Sequence, residues 1–180
     1  MPKKILLIIF LTCFCALAKA QTADAVYDQY LDYNLDRLHG DMAVALKLGE
    51  SILPNAGKLP AKAQISFYNS MAKLYEDSQP DRAIIYYEMV TAAEPNYYVA
   101  HRALGYLYVA KADKATGDLY KAVVLKALPN LEKAQACDPS AETLALIKSM
   151  YTNLHDDAGL KSLTSRLAAL SKNCLDILSE

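Results

Sequence analysis

From residue 21 onward the sequence predicts an all-α protein: a single domain, 21–180, of antiparallel helical hairpins, about eight helices in all. Two observations carry this. Apolar residues recur at three and four positions from Thr22 to the end, which is the helical period, with hardly any of the strict alternation that builds strands. Turn signals then cut the chain into pieces of helix length, and the short connections favour antiparallel neighbours.

Residues 1–20 stand apart. Lys3 and Lys4 precede an apolar run from Ile5 to Leu17, and Ala18-Lys19-Ala20 supplies a small-x-small ending. That is the make-up of a secretory signal peptide with cleavage after Ala20. The run is shorter than the roughly 20 apolar residues of a membrane span. Cys13 and Cys15 follow Thr12 and Phe14 rather than the small residue of a lipid-attachment site, so no lipoprotein anchor is expected. The expected destination is the periplasm or the exterior, with no membrane span after cleavage.

The remaining elements follow in order. Helices are expected near 23–38, 42–53, 61–77, 80–93, 97–114, 118–137, 140–154 and 157–177. The breaks fall at His39-Gly40-Asp41, Pro54 to Pro60, Asp77-Ser78-Gln79-Pro80, Glu94-Pro95-Asn96, Ala115-Thr116-Gly117-Asp118, Asp138-Pro139-Ser140 and His155-Asp156-Asp157. Several of these offer an Asp or Ser as N-cap. The last helix carries a stripe of Leu160, Leu163, Leu167, Leu170, Cys174 and Leu178, which predicts one long amphipathic helix.

An internal repeat emerges from the closing prolines. Ala83 and Ala127 each lie twelve residues before Pro95 and Pro139, Tyr87 and Leu131 eight before, and Val90 and Ala134 five before. The preceding helices also agree: Tyr68, Met71, Ala72 and Tyr75 correspond to His101, Leu104, Gly105 and Tyr108, and then to Leu144, Ile147, Lys148 and Tyr151. Small residues let paired helices approach, bulky ones fill the space around them, and the proline ends each unit.

Over residues 61–175 this pattern resembles the tetratricopeptide repeat. The resemblance implies a short right-handed superhelix with repeats at about 61–97, 98–140 and 141–175, preceded by a degenerate hairpin, 22–53, that carries Ala45, Leu48 and Ile52. Lys148 stands where the family has a small residue, which marks the third unit as divergent. The second unit exceeds the usual 34 residues by about ten between Tyr108 and Ala127. This insertion predicts a projecting hairpin with Lys111, Asp113, Lys114, Thr116 and Asp118 near its tip. Pro129 falls inside its second helix and is expected to bend it.

The resemblance further implies that first helices line an inner groove that takes extended peptides. The positions that carry over are Asn69, Lys73 and Glu76, then Val99, Arg102 and Tyr106, then Ser149 and Thr152. Most of the 13 tyrosines fall at packing positions, leaving Tyr86, Tyr97, Tyr98 and Tyr106 as candidate surface contacts.

Chemistry is harder to find. His39, His101 and His155 are dispersed, with no second ligand at the spacing a zinc site uses. Glu76-Asp77 and Asp156-Asp157 adjoin turns and read as caps rather than general acids. No phosphate loop, nucleophile elbow or reactive cysteine motif occurs in the sequence. Three of the 19 basic residues lie in the signal, so against 20 acidic ones the net charge moves from −1 to about −4 and nucleic acid is not an expected partner. Cys137 and Cys174 read as small packing residues that an oxidising compartment would permit to pair. The expectation is a non-enzymatic scaffold for a protein or peptide, without cofactor. A structural subunit of an envelope complex, or an enzyme's accessory domain, are the alternatives.

Overall fold

The computed structural model describes residues 21–178, and the signal-peptide expectation lies outside them. These residues form eight α-helices: α1 (Ala23–Leu38), α2 (Met42–Ile52), α3 (Ala61–Tyr75), α4 (Pro80–Ala93), α5 (Tyr98–Ala112), α6 (Gly117–Cys137), α7 (Ala141–Asn153) and α8 (Asp157–Leu170). A 3-10 segment, Leu53–Lys58, follows α2. Among the described residues no helix is long and apolar enough to cross a membrane.

Local chemistry sets the ends. The side chains of Thr22, Asp41, Ser140 and Asp156 accept from the backbone N–H groups of Ala25, Val44, Thr143 and Gly159, each satisfying a donor that a helix start leaves orphaned. Pro80 opens α4, where its missing N–H removes no helical bond. Gly40 turns the chain between α1 and α2 at φ 85°, a conformation that side chains with a Cβ rarely adopt.

Packing proceeds hairpin by hairpin. Ala72 and Ala83 are fully buried between α3 and α4, and Gly105 lies against Leu131 between α5 and α6 so closely that a Cβ there would sit 2.8 Å from Leu131 Cδ2. Leu104, Tyr108, Ala127, Leu131 and Ala134 complete that second interface. Around the first hairpins aromatic rings fill the core: Tyr33 meets Phe67 edge-on at 5.3 Å, and Tyr86 stacks between Tyr68 and Tyr75 at 5.7 and 5.9 Å. Pro95 and Pro139 lie exposed in the turns after α4 and α6.

A polar device recurs at every junction between hairpins. Tyr75 of α3 donates to Glu50 of α2, Tyr108 of α5 to Glu88 of α4, and Tyr151 of α7 to Glu132 of α6. In each case a cation from the following helix completes the group. Arg82 lies 4.1 Å over the Tyr75 ring and 2.9 Å from Glu50, and Lys126 lies 5.5 Å over Tyr108 and 3.5 Å from Glu88. Arg166 lies 5.2 Å over Tyr151 and 2.7 Å from Glu132. Burial and the carboxylate partner both push these tyrosine pKa values above the ordinary phenol range. Each staple thus joins three consecutive helices.

Three expectations need correction. The last helix ends at Leu170 rather than near 177, because Lys133 Nζ draws the Leu170 and Asn173 carbonyls toward α6 and Cys174 is bonded to Cys137. Of the six-residue stripe only Leu163 is fully buried, and Cys174 is exposed. Cys137 and Cys174 form a disulfide with Cα atoms 5.6 Å apart, inside the ordinary range, instead of packing as free thiols. Lys148 faces solvent, so it does not occupy the close-approach position that Ala72 and Gly105 hold. At Pro129, α6 continues without interruption.

Candidate functional site

The odd-numbered helices are joined to one another through polar side chains. Tyr33 of α1 donates to Ser70 Oγ of α3 at 2.7 Å, Asn69 of α3 reaches the Tyr97 hydroxyl before α5 at 3.5 Å, and Tyr106 of α5 meets Thr143 Oγ1 of α7 at 2.8 Å. Burial pushes the Tyr33 hydroxyl up to about 12, so it stays a neutral donor. These contacts draw a seam along the first helices, and of the residues read as groove-lining Asn69 and Tyr106 take part in them.

Two cavities open at its α1–α3 end. One of about 410 Å³ is lined by Arg37, Met42, Ser70, Lys73, Leu74 and Asp77. The other, about 300 Å³, shares Arg37, Ser70 and Lys73 and adds Ser66, Asn69 and Tyr97. Two cations therefore serve both. Arg37 donates to Asn34 Oδ1 at 3.3 Å, while its buried Nε has no hydrogen-bond partner among the described residues.

The second cavity is closed by the chain itself. Asp176, Ile177 and Leu178 form its remaining wall. They belong to a strap, residues 171–178, that turns after α8 through Asn173 and then crosses the N-terminus of α5 toward α3. Leu175 pairs with Tyr97 in a parallel bridge: its N–H donates to the Asn96 carbonyl at 2.8 Å, and its carbonyl accepts from Tyr98 N–H at 3.1 Å. Leu175 and Leu178 also pack with Ile65, Lys62 and Glu94 around a smaller void. Tyr97, expected at the surface, is buried beneath this crossing, and Tyr98 is half-buried.

Not every groove candidate is available. Arg102 pairs with Asp138, the C-cap of α6, at 2.5 Å, and Tyr106 is engaged by Thr143 in the first turn of α7, so both side chains are tied to neighbouring elements. Glu76 accepts from the Tyr87 hydroxyl and belongs to the α3–α4 contact. Val99, Ser149 and Thr152 are exposed, with Thr152 Oγ1 donating to the Lys148 carbonyl. The structure therefore gathers Asn69 and Lys73 with Arg37, Ser66 and Ser70, which carried no motif signal.

The tip of the α5–α6 hairpin, expected to project, is flanked rather than isolated. Lys111 pairs with Asp81 of α4 at 2.7 Å, holding that carboxyl below its usual range, and Asn153 of α7 donates to the Tyr120 hydroxyl. Asp113, Lys114, Thr116 and Asp118 lie past both ties and are exposed.

His101 is half-buried, with Nδ1 2.7 Å from Asn130 Oδ1 and Nε2 3.1 Å from the Pro95 carbonyl. Burial holds its pKa below the ordinary value against the opposing pull of those two oxygens. His155 occupies a left-handed turn at φ 55°, and Asp156 caps α8. Lys133 was not singled out in the sequence. It is buried, burial lowers its pKa, and it donates to Asn96 Oδ1 and two strap-side carbonyls. Set against known protein families the chain matches no family model, and no curated protein matches it.

Proposed function

We propose that the chain is an exported, non-enzymatic scaffold of tetratricopeptide-like repeats that binds an extended peptide or protein segment along the seam of first helices. One observation carries the reading: the seam already accommodates an extended segment, the strap, through main-chain pairing at Asn96 and Tyr98 and through leucine side chains. A surface that takes aliphatic side chains and backbone from its own chain has the chemistry to take them from another. Arg37 and Lys73, lining the same cavity as Asp176, favour a segment that carries a carboxylate. The non-enzymatic half rests on a sequence without a nucleophile, phosphate-loop or metal-ligand pattern.

The test is affinity capture from envelope extract with the full mature chain, compared with an Asn69→Ala/Lys73→Glu variant. A specific partner lost in the variant is expected, because both side chains border the cavity and neither is fully buried. Equal recovery by both proteins would remove the seam from the account.

A second reading has its own observation. Tyr27, Leu31, Leu35 and Leu38 leave an exposed apolar stripe along α1. Such a stripe at the end of a helical stack favours a structural subunit packed against another chain. Charged replacements at Leu31 and Leu35 would then release the protein from an assembly while leaving its helicity intact.

A further inference from the structure

We propose that the Cys137–Cys174 disulfide is a redox latch: it holds the strap over the α3–α5 part of the first-helix seam, and reduction uncovers that surface for an incoming peptide. The inference rests on the seam being the binding surface.

Placement is the argument. Cys137 is the last residue of α6, and Cys174 begins the extended portion of the strap, directly before the residue that pairs with Tyr97. The covalent bond therefore sets the register of the bridge. The non-covalent hold beyond it is thin. Two main-chain hydrogen bonds engage Leu175, Leu175 and Leu178 are only half-buried, and Asp176 and Ile177 are exposed. Lys133 holds the Asn173 carbonyl in the turn before the cysteine, together with the Asn96 side chain, and makes no hydrogen bond to residues 175–178. The helices beneath have independent ties: Arg166 with Glu132 fastens α8 to α6, and Tyr106 with Thr143 fastens α7 to α5. Loss of the disulfide thus removes the strap's strongest restraint and leaves those of the stack in place.

Cys174 is exposed and Cys137 half-buried, so a thiolate can approach the Cys174 sulfur. A dithiol supplies the two electrons. Its thiolate attacks Cys174 Sγ, the Cys137–Cys174 S–S bond breaks, and Cys137 leaves as a thiolate that takes up a proton. The second thiol then displaces Cys174 as a thiol, and the reductant ends as a disulfide.

The experiment uses the full mature chain, oxidised, treated with dithiothreitol, or carrying Cys174→Ala, and reads amide hydrogen exchange at Tyr98 and Leu175 by NMR. Reduction is expected to accelerate exchange at these two amides at least tenfold, while amides inside α3 and α6 change less than twofold and far-UV ellipticity is retained. Unchanged protection at Tyr98 and Leu175 overturns the latch, and so does a collapse of ellipticity, which would make the disulfide a structural staple. A fluorescein-labelled peptide of residues 172–178 carrying Cys174→Ser, so that it cannot exchange with the disulfide, supplies the second readout. It is expected to bind the reduced chain at least tenfold more tightly than the oxidised chain, and measurable binding of equal affinity to both overturns the latch. Accelerated exchange without peptide binding instead supports the latch while counting against the seam as a docking surface.

Discussion

Removing the guanidinium of Arg166 is the sharpest test of how the hairpins are joined. Glu132 is buried, its side chain 5% exposed, and its two carboxylate oxygens accept from Arg166 Nη2 at 2.7 Å and Nε at 2.9 Å, with Tyr151 adding a third donor. In Arg166→Ala the carboxylate keeps one donor and loses its countercharge in a place water reaches poorly. Breaking one side of such a pair costs about 3–5 kcal/mol, and the partial exposure of Arg166, 33%, places the effect near the lower end, about 3 kcal/mol. The equivalent change at the first junction is a built-in comparison. Arg82 and Glu50 make the same staple, but at 38% and 44% exposure, so Arg82→Ala should cost about 0.5 kcal/mol. With a urea slope of about 2 kcal/mol per molar, the midpoints should fall by about 1.5 M for Arg166→Ala and about 0.3 M for Arg82→Ala. The double variant Glu132→Leu/Arg166→Met removes both charges and should recover at least half of the larger loss. Equal midpoints for the two arginine variants would refute the claim that burial sets the strength of the staple.

Gly105→Val forces side-chain atoms into Leu131, whose backbone N lies 3.2 Å from the position a Cβ would take, and should destabilise the chain by about 2–3 kcal/mol in the same urea assay. His101, with its pKa lowered by burial, should titrate by NMR below the unfolded-chain value of about 6.5. As the pH falls below that value the unfolded chain takes up the proton first, so stability present above it is lost down to the folded-state pKa. The urea midpoint should therefore drop between pH 7.5 and pH 5, and His101→Gln should shrink that drop.

Helix placement was legible because it is written locally. Gly40, Pro80, Asp138-Pro139 and Asp156 mark ends through backbone chemistry that needs no partner, and the described helices start and stop close to them. The small residues Ala72, Ala83, Gly105 and Ala127 likewise announced close packing by their spacing. What escaped was long-range and polar. Tyr75, Tyr108 and Tyr151 hold equivalent positions, Glu88 and Glu132 each lie seven residues before the closing proline, and Arg82 and Lys126 thirteen before it, so the members follow the repeat. What the sequence does not show is that they meet, with tyrosine and carboxylate 25, 20 and 19 positions apart. The stripe through Leu170, Cys174 and Leu178 has helical spacing, yet the disulfide and Lys133 pull the chain out of helical register after Leu170. Arg102 and Tyr106 looked available from their positions on α5, and only the fold shows Asp138 and Thr143 waiting for them. A charged residue such as Lys133 is buried because carbonyls from α8 and the strap converge on it, which helix α6 alone does not disclose.

The proposed docking site is the seam of first helices rather than the tip of the α5–α6 hairpin. Site-specific photo-crosslinking in intact cells, with the probe at Lys73 in one protein and at Asp113 in the other, followed by mass spectrometry, tests it directly. A discrete protein partner joined at Lys73 and absent at Asp113 is the expected result. Crosslinks confined to Asp113, or none from either position, would contradict it.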